Sequence, residues 1–371
     1  MSRFSVHPWQ NSFGRIAFFI GLFAVAALAQ NLRFQDVTNS ARVSTPNDPN
    51  GYGHGVAAGD FNNDGLPDIY VVNYTALNAL FLNNGNGTFT EAAVSGNVAH
   101  TTTLQDRGVA AADYDDDGDL DLYIASGGYQ DNLLFRNNGN GSFSEIANSV
   151  GLRNYEMQGE SVSWGDYDGD GDLDLFLTSY ENPCKLFRQN SDHTFSEVTD
   201  ASGLGGIAES VQSVFFDLEL DGDLDIFISR GENIANSLFV NRGNGVFVDE
   251  AASRNITDPA PHGQGVTVSD YDNDGDLDIY MCDDRGPNRL YRNDNGSFDE
   301  VAEQAGVDDD SRSLGCLFAD FNNDGWPDLY VINFGTNRLY RNNGNGTFDD
   351  VTSGSGADNS SRGYGSAVLD Y

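Results

Sequence analysis

The chain has 371 residues and a formal charge of −38, from 19 basic against 57 acidic residues, with a single lysine, Lys185. That imbalance excludes nucleic acid and anionic membrane as partners, because both call for a basic surface. Disorder is excluded too: 39% of the residues are hydrophobic and 12% aromatic, and acidic clusters are followed by apolar runs such as LDLYIAS at 120–126.

The first element in chain order is a leader. Arg3 and Arg15 precede the apolar stretch IAFFIGLFAVAAL (16–28), and Ala27-Leu28-Ala29 stands before Gln30. A charged start, an apolar middle and a small-x-small site describe a secretory signal peptide, residues 1–29, cut after Ala29. The apolar stretch is shorter than the roughly 20 residues of a membrane span, so no membrane insertion is expected after cleavage. The exported part is then 30–371, and loss of the two leader arginines leaves 17 basic against 57 acidic residues, or −40.

The remainder of the chain is built on a repeat. Residues 113–121 read DYDDDGDLD, six aspartates in nine positions, and the same pattern starts at Asp60, Asp166, Asp217, Asp270 and Asp320, so that successive starts differ by 53, 53, 51, 53 and 50 residues. Periods of this length signal a propeller, solenoid or array. The second repeat shows the grammar: GVAAADY (108–114), the acidic loop, LDLYIAS (120–126), NLLFRN (132–137), an Asn-Gly turn, and SFSEIA (142–147). Asn-Gly is a strong hairpin signal and recurs in FLNNGNGTF (81–89), LFVNRGNGVF (238–247) and LYRNNGNGTF (339–348). The third repeat has LFRQNSDHTF (186–195) instead, and an irregular hairpin is predicted there.

Four antiparallel strands per fifty residues make one blade of an all-β propeller, and the strands read apolar on both faces because each blade stacks between two others. No long stretch has a 3.6 period, so a helix bundle is excluded. Six repeats are complete. LRFQDVT (32–38) matches the last strand of a blade and GYGSAVLDY (363–371) the first, which predicts a partial seventh blade, starting its loop at Asp370, and a seven-bladed protein cut short. Six-bladed closure is the alternative.

Two carboxylates about 4 Å apart repel by roughly 4 kcal/mol at an effective dielectric of about 20, so crowded aspartates in a compact fold need a cation. Position 1 of the loop is Asp60, Asp113, Asp166, Asp217, Asp270 or Asp320; position 3 is Asn62, Asp115, Asp168, Glu219, Asp272 or Asn322; position 5 is Asp64, Asp117, Asp170, Asp221, Asp274 or Asp324. Position 6 is always glycine, which permits a sharp turn. Position 7, expected to offer a main-chain carbonyl, is Leu66, Asp119, Asp172, Asp223, Asp276 or Trp326, and position 9 is Asp68, Asp121, Asp174, Asp225, Asp278 or Asp328. Alternating oxygens on a tight turn suit Ca²⁺, with its six to eight oxygen ligands, better than Mg²⁺ with its strict octahedron. About six calcium sites are expected. The loops are not EF-hands, whose position 12 is a glutamate, because here it is Val71, Ile124, Leu177, Ile228, Met281 or Val331. The fourth loop is the outlier, with the longer Glu219 at position 3 and Leu220 at position 4. Solvated acidic turns are the bland reading of any one loop, and six copies in phase with the repeat argue against it.

These loops resemble those of the FG-GAP/VCBS repeat proteins, which include integrin α-subunit propellers and ASPIC/UnbV-type extracellular proteins. The resemblance covers residues 32–371, and YGSAVLD (364–370) is similar to the FG-GAP element itself. It implies metal ligation by loop positions 1, 3, 5, 7 and 9, in the second loop by Asp113, Asp115, Asp117, the carbonyl of Asp119, and Asp121.

Beyond calcium the sequence offers no nucleophile and base pair. His54, His100, His193 and His262 are scattered, Cys184, Cys282 and Cys316 are too few and too far apart for a disulfide framework, and the sequons at Asn86, Asn140, Asn295 and Asn345 belong to hairpin turns. An enzyme is therefore not expected. Five residues ahead of most loops stands a glycine (Gly55, Gly108, Gly265, Gly315, Gly365), while the residue before it varies: His54, Arg107, Glu160, Val211, Gln264, Leu314, Tyr364. These varying residues begin the innermost strand, away from the calcium loops, and form the face expected to select an extracellular protein or glycan. A calcium-stabilised binding or adhesion module is the leading reading, and part of a secreted carbohydrate-active enzyme is the alternative.

Overall fold

The computed structural model describes residues 32–44, 53–74, 76–100, 105–128, 130–153, 157–231, 234–257, 262–360 and 364–368. The expected signal peptide and the loop start at Asp370 lie outside them. Within them the chain is all-β: six sheets of four antiparallel strands, each sheet laid out in sequence order, arranged as the blades of a propeller. The second blade is typical, with strands Asp106–Ala112, Asp121–Ser126, Leu133–Asn137 and Phe143–Glu145.

Blade stacking explains why the strands lack polar alternation. Every residue of the second strand is buried in Asp121–Ser126, as in Asp68–Asn73, Asp174–Ser179, Asp278–Asp283 and Asp328–Asn333. Each such strand lies between the blades before and after it. The hydrophobic clusters accordingly straddle neighbours: Tyr70, Val72 and Leu80 of the first blade pack with Val109, Leu122 and Ile124 of the second. Phe227 and Leu238 of the fourth blade meet Ile279 and Met281 of the fifth in the same manner.

The third hairpin keeps the ladder of the others and departs from them inside the turn. Gln189 pairs with Phe195 in the register in which Asn83 pairs with Phe89 and Asn137 with Phe143. His193, at φ 59°, takes the left-handed place that Gly87 holds at φ 76°. Asp192 Oδ1 accepts from the Thr194 N–H and hydroxyl, as Asn86 Oδ1 does from Thr88. Asp-His thus supplies the acceptor and the left-handed residue, while the expected irregularity lies just before them: Ser191 does not take the left-handed φ that Gly85 and Gly139 hold at 67° and 73°, and the His193 N–H donates to Asn190 O at 2.8 Å. The fifth hairpin differs more, closing on the two residues Asn295-Gly296 between paired Asp294 and Ser297. Three helical turns, Thr38–Ala41, Ala147–Val150 and Ala302–Ala305, link strands and are too short for a periodic signal.

Between the sixth blade and the first lie both terminal segments. The Phe34 N–H donates to Ser355 O at 2.6 Å, the bond Phe143 makes to Gly96 O at 2.8 Å between the second blade and the first. Leu32 and Phe34 pack on Tyr330, Ile332 and Leu339 of the sixth blade, while Val37, Ala41 and Val43 cover Ile69, Val71 and Phe81 of the first. On the inside, Tyr364 follows the sixth blade as Glu160 follows the second. A Cβ added to Gly315 would lie 2.6 Å from Tyr364 O, and one on Gly108 2.7 Å from Glu160 O.

Gly55, Gly108, Gly265 and Gly315, near the start of four innermost strands, are therefore spacers that let blades approach backbone to backbone. Replacing Gly108 by Ala is expected to cost about 1–3 kcal/mol of stability by forcing the second and third blades apart, measured by urea unfolding of the calcium-saturated protein. An unchanged midpoint would contradict that packing role.

Candidate functional site

The acidic loops join the innermost strand to the second in each blade, and a fixed set of backbone bonds shapes them. In the second loop Asp113 accepts the N–H groups of Asp117 at 3.0 Å and Gly118 at 2.9 Å. Asp117 accepts the Asp119 N–H at 3.0 Å. Position-1 aspartates Asp60, Asp166, Asp217, Asp270 and Asp320 hold the matching pairs of N–H groups, and position-5 Asp64, Asp170, Asp221, Asp274 and Asp324 bind position 7. Gly118 and its equivalents have φ of 84° to 102°, as the sharp turn needs. Position 4, which sequence reasoning passed over, is left-handed as well: Asn63, Asp116, Gly169, Leu220, Asn273 and Asn323 have φ of 55° to 75°. Glycine, asparagine and aspartate accept this, whereas leucine rarely does.

Position 9 is the buried end of each loop. Asp121 is 1% exposed, and its two oxygens accept the Tyr114 N–H of its own loop at 3.3 Å and the Asn137 N–H of the third strand at 2.7 Å. Asp68, Asp174, Asp225, Asp278 and Asp328 repeat this arrangement at 0–1% exposure. Burial, helped by the neighbouring loop carboxylates and opposed by the two N–H groups, pushes Asp121, Asp174 and Asp278 up to about 8. Asp225 and Asp328 rise to about 7 and Asp68 to about 6 for the same leading reason, with Glu219 adding at Asp225. Position-3 Asp115, Asp168 and Asp272 are also raised, first by burial and then by their acidic neighbours.

In three loops the carboxylates converge. Asp113, Asp115 and Asp121 bring one oxygen each within 4.8 Å of one another, as do Asp166, Asp168 and Asp174, and Asp270, Asp272 and Asp278. Asp115 Oδ1 and Asp272 Oδ1 are buried and have no hydrogen-bond partner, although their neighbours are acceptors too. A buried acceptor without a donor is costly, and three converging carboxylates with a spare oxygen match a hard cation. In the first and sixth loops the amide oxygens of Asn62 and Asn322 accept the Asp64 and Asp324 N–H groups, so position 3 is present there as a neutral oxygen.

The varying residues at the start of the innermost strand also come together. In the second blade Asp106 pairs with Ser126 and Gly108 with Ala125, leaving Arg107 as an extra residue. The fourth and sixth blades leave Val211 and Leu314 extra, and the ladders of the first, third and fifth blades slip by one residue at the same level. A β-bulge re-aims a side chain, and here it aims the varying residue at the propeller axis. Arg107, Glu160, Val211, Gln264, Leu314 and Tyr364 line one cavity of about 590 Å³ with Tyr74, Gln158, Tyr180 and Glu181. Arg107 pairs with Glu160 and lies 6.0 Å from the centre of the Tyr74 ring, and burial lowers its pKa. The His54 side chain lies outside the described residues. Six residue steps along the strand take Arg107 to Asp113, about 20 Å, so the mouth and the acidic loops occupy opposite ends of the blade.

A profile of the FG-GAP-like repeat matches residues 60–124, 117–177, 166–228, 217–281, 270–331 and 320–371. Cartilage acidic protein 1 of Mus musculus is 30% identical over 288 residues, 70% of this chain and 44% of its own length. The Homo sapiens protein of that name is 31% identical over 294 residues, covering 70% and 43%. The chain thus spans less than half the length of these curated relatives. Among solved structures, an Agrocybe aegerita lectin described for recognition of non-reducing terminal N-acetylglucosamine is 21% identical, with a TM-score of 0.52 over 82% of each chain. BBS1N in complex with ARL6DN is 12% identical, with a TM-score of 0.50 over 77% and 76%. Both likenesses concern the fold.

The raised position-9 aspartates give a pH dependence of definite sign. In metal-free protein they keep protons that the unfolded chain releases near pH 4. The stability this contributes is complete below that pH and is lost as pH climbs through about 6 to 8. Chelator-dialysed protein is expected to melt lower at pH 8 than at pH 5, on the order of 5 °C lower, and added Ca²⁺ to close most of the gap at pH 8. Calorimetry at the two pH values checks this, and a metal-free midpoint that rises with pH would contradict it.

Proposed function

Since the chain belongs to the FG-GAP-like repeat family, we propose that it is an exported, calcium-stabilised propeller whose axial mouth binds a protein or glycan outside the cell. The observation that carries the calcium part is the pair of buried, partnerless oxygens on Asp115 and Asp272, each inside a cluster of three converging aspartates. Ca²⁺ would supply the positive charge that these oxygens lack. The chain's own residues do the rest: position-1 aspartates bend the loop, the glycine at position 6 closes it, and position 9 ties it to the third strand. The expected export fits this reading, because calcium is commonly plentiful outside the cytosol and loops of modest affinity stay filled there.

The binding part rests on the mouth. Its walls are a regular scaffold, and its lining differs from blade to blade, with aromatic, charged and amide groups around one cavity of about 590 Å³, within the ordinary size of ligand sites. We read the chain as a binding or adhesion module and not as an enzyme, because the patterned carboxylates belong to the loops.

Two measurements test this reading. Saturating Ca²⁺ is expected to raise the melting temperature over EDTA-treated protein, each site filled at 100 times its Kd adding about 2.7 kcal/mol, and an unchanged midpoint would sink the calcium role. For the mouth, glycan-array and pull-down binding by the full-length protein is expected to fall at least tenfold on reversing Arg107→Glu, with folding and calcium response kept. Binding indifferent to that change, or turnover of a polysaccharide, would overturn the module reading.

A further inference from the structure

The fourth loop has four carboxylates like the second, third and fifth, at Asp217, Glu219, Asp221 and Asp225, yet among the described residues no three of them converge. We infer that this loop takes no calcium because Arg254 of the chain already fills the role of its cation. This rests on the calcium reading of the other loops and goes beyond it.

Arg254 lies in the turn after the outer strand of the fourth blade and is held on three sides. Its Nη2 donates to Glu219 of the loop, its Nε to Glu250 at 2.9 Å, and its Nη1 to Gly296 O of the fifth blade at 2.8 Å. The side chain is 15% exposed, so the guanidinium is largely withdrawn from water while every one of its nitrogens is used. A planar, always charged group that binds in fixed directions suits this bridging role better than a lysine would.

The position is singular. The Phe298 N–H donates to Arg254 O at 3.0 Å, as Phe143 does to Gly96, Phe247 to Ser202 and Phe34 to Ser355, and none of those three residues carries a charge that could pair with a loop carboxylate. In the second, third and fifth blades the nearby cations are Arg136, Arg188 and Arg292 on the third strand. They act on Asp115, Asp168 and Asp272 through space and form no ion pair with them among the described residues. The fourth blade has Val240 at that place, paired with Val248 where Arg136 pairs with Ser144.

Two departures in the loop fit this exchange. Glutamate at position 3 is one methylene longer than aspartate, which lets its carboxylate reach Arg254. Leu220 at position 4 holds a left-handed φ of 55° with its side chain 58% exposed. One guanidinium thus links the loop, the outer strand of its own blade and the hairpin of the next, and the joint between the fourth and fifth blades is closed without metal.

The test is calcium stoichiometry. The 371-residue chain with its six complete loops, stripped with chelator and equilibrated with saturating Ca²⁺, is expected to bind five ions by atomic emission after equilibrium dialysis. Arg254→Met is expected to bind six. The double variant Asp217→Asn/Asp221→Asn is expected to stay at five, whereas Asp113→Asn/Asp117→Asn in the second loop falls to four. Six ions on the unaltered protein, five on Arg254→Met, or a loss on changing the fourth loop would each overturn the inference. No bound calcium at all would instead overturn the calcium reading on which it rests. The loop variants leave Arg254 in place, so the inference stays testable if Arg254→Met fails to fold.

Discussion

Everything in this propeller depends on one buried carboxylate per blade. The position-9 aspartate starts the second strand, and its two oxygens accept one N–H from the loop before it and one from the third strand, so a single side chain fixes both the shape of the loop and the offset of two strands. Taking a carboxylate out of water is unfavourable, and two neutral donors offset only part of that. The remainder falls to whatever positive charge arrives, a proton or a cation, and the choice between them couples the fold to its surroundings. Asn137 extends the linkage: its side-chain amide donates to Phe61 O in the preceding blade at 3.0 Å, so one loop is tied to the next. Asn241 and Asn342 make the same reach to Tyr167 O and Tyr271 O.

Blade-to-blade cohesion is otherwise apolar and close. Fully buried second strands and glycine spacers keep neighbours in backbone contact near the axis, while the loops crowd charge at the far end. The result separates the two proposed roles in space. Calcium-dependent stability belongs to the acidic end and partner recognition to the mouth, with about 20 Å of uniform strand between. A change in the lining of the mouth therefore has little leverage on the acidic loops.

Much of this is legible in the sequence because it repeats. The period near fifty, the Asn-Gly turns and the glycine at position 6 mark out the blades and the loop, and the varying residues Arg107, Glu160, Val211, Gln264, Leu314 and Tyr364 emerge when the repeats are aligned with each other. Three things escape such a reading. The third hairpin is irregular at Ser191, yet Asp192-His193, which does not resemble Asn-Gly, supplies the same acceptor and the same left-handed residue and keeps the register of the others. The partner of Glu219 lies 35 residues away at Arg254, in a turn whose sequence carries no motif. The bulge at the start of the innermost strands is invisible because a one-residue slip in pairing leaves no mark on composition.

That bulge has a consequence for how such a protein diversifies. The extra residue stands outside the regular pairing of its sheet, so an arginine, a valine, a leucine or a glutamine fits there without disturbing the strands that carry it. Each blade then contributes one letter to the axis, and neighbouring letters can be linked there, as Arg107 is to Glu160. The mouth is in effect a short word written around a ring, with its letters at the places where the ladder leaves a residue over.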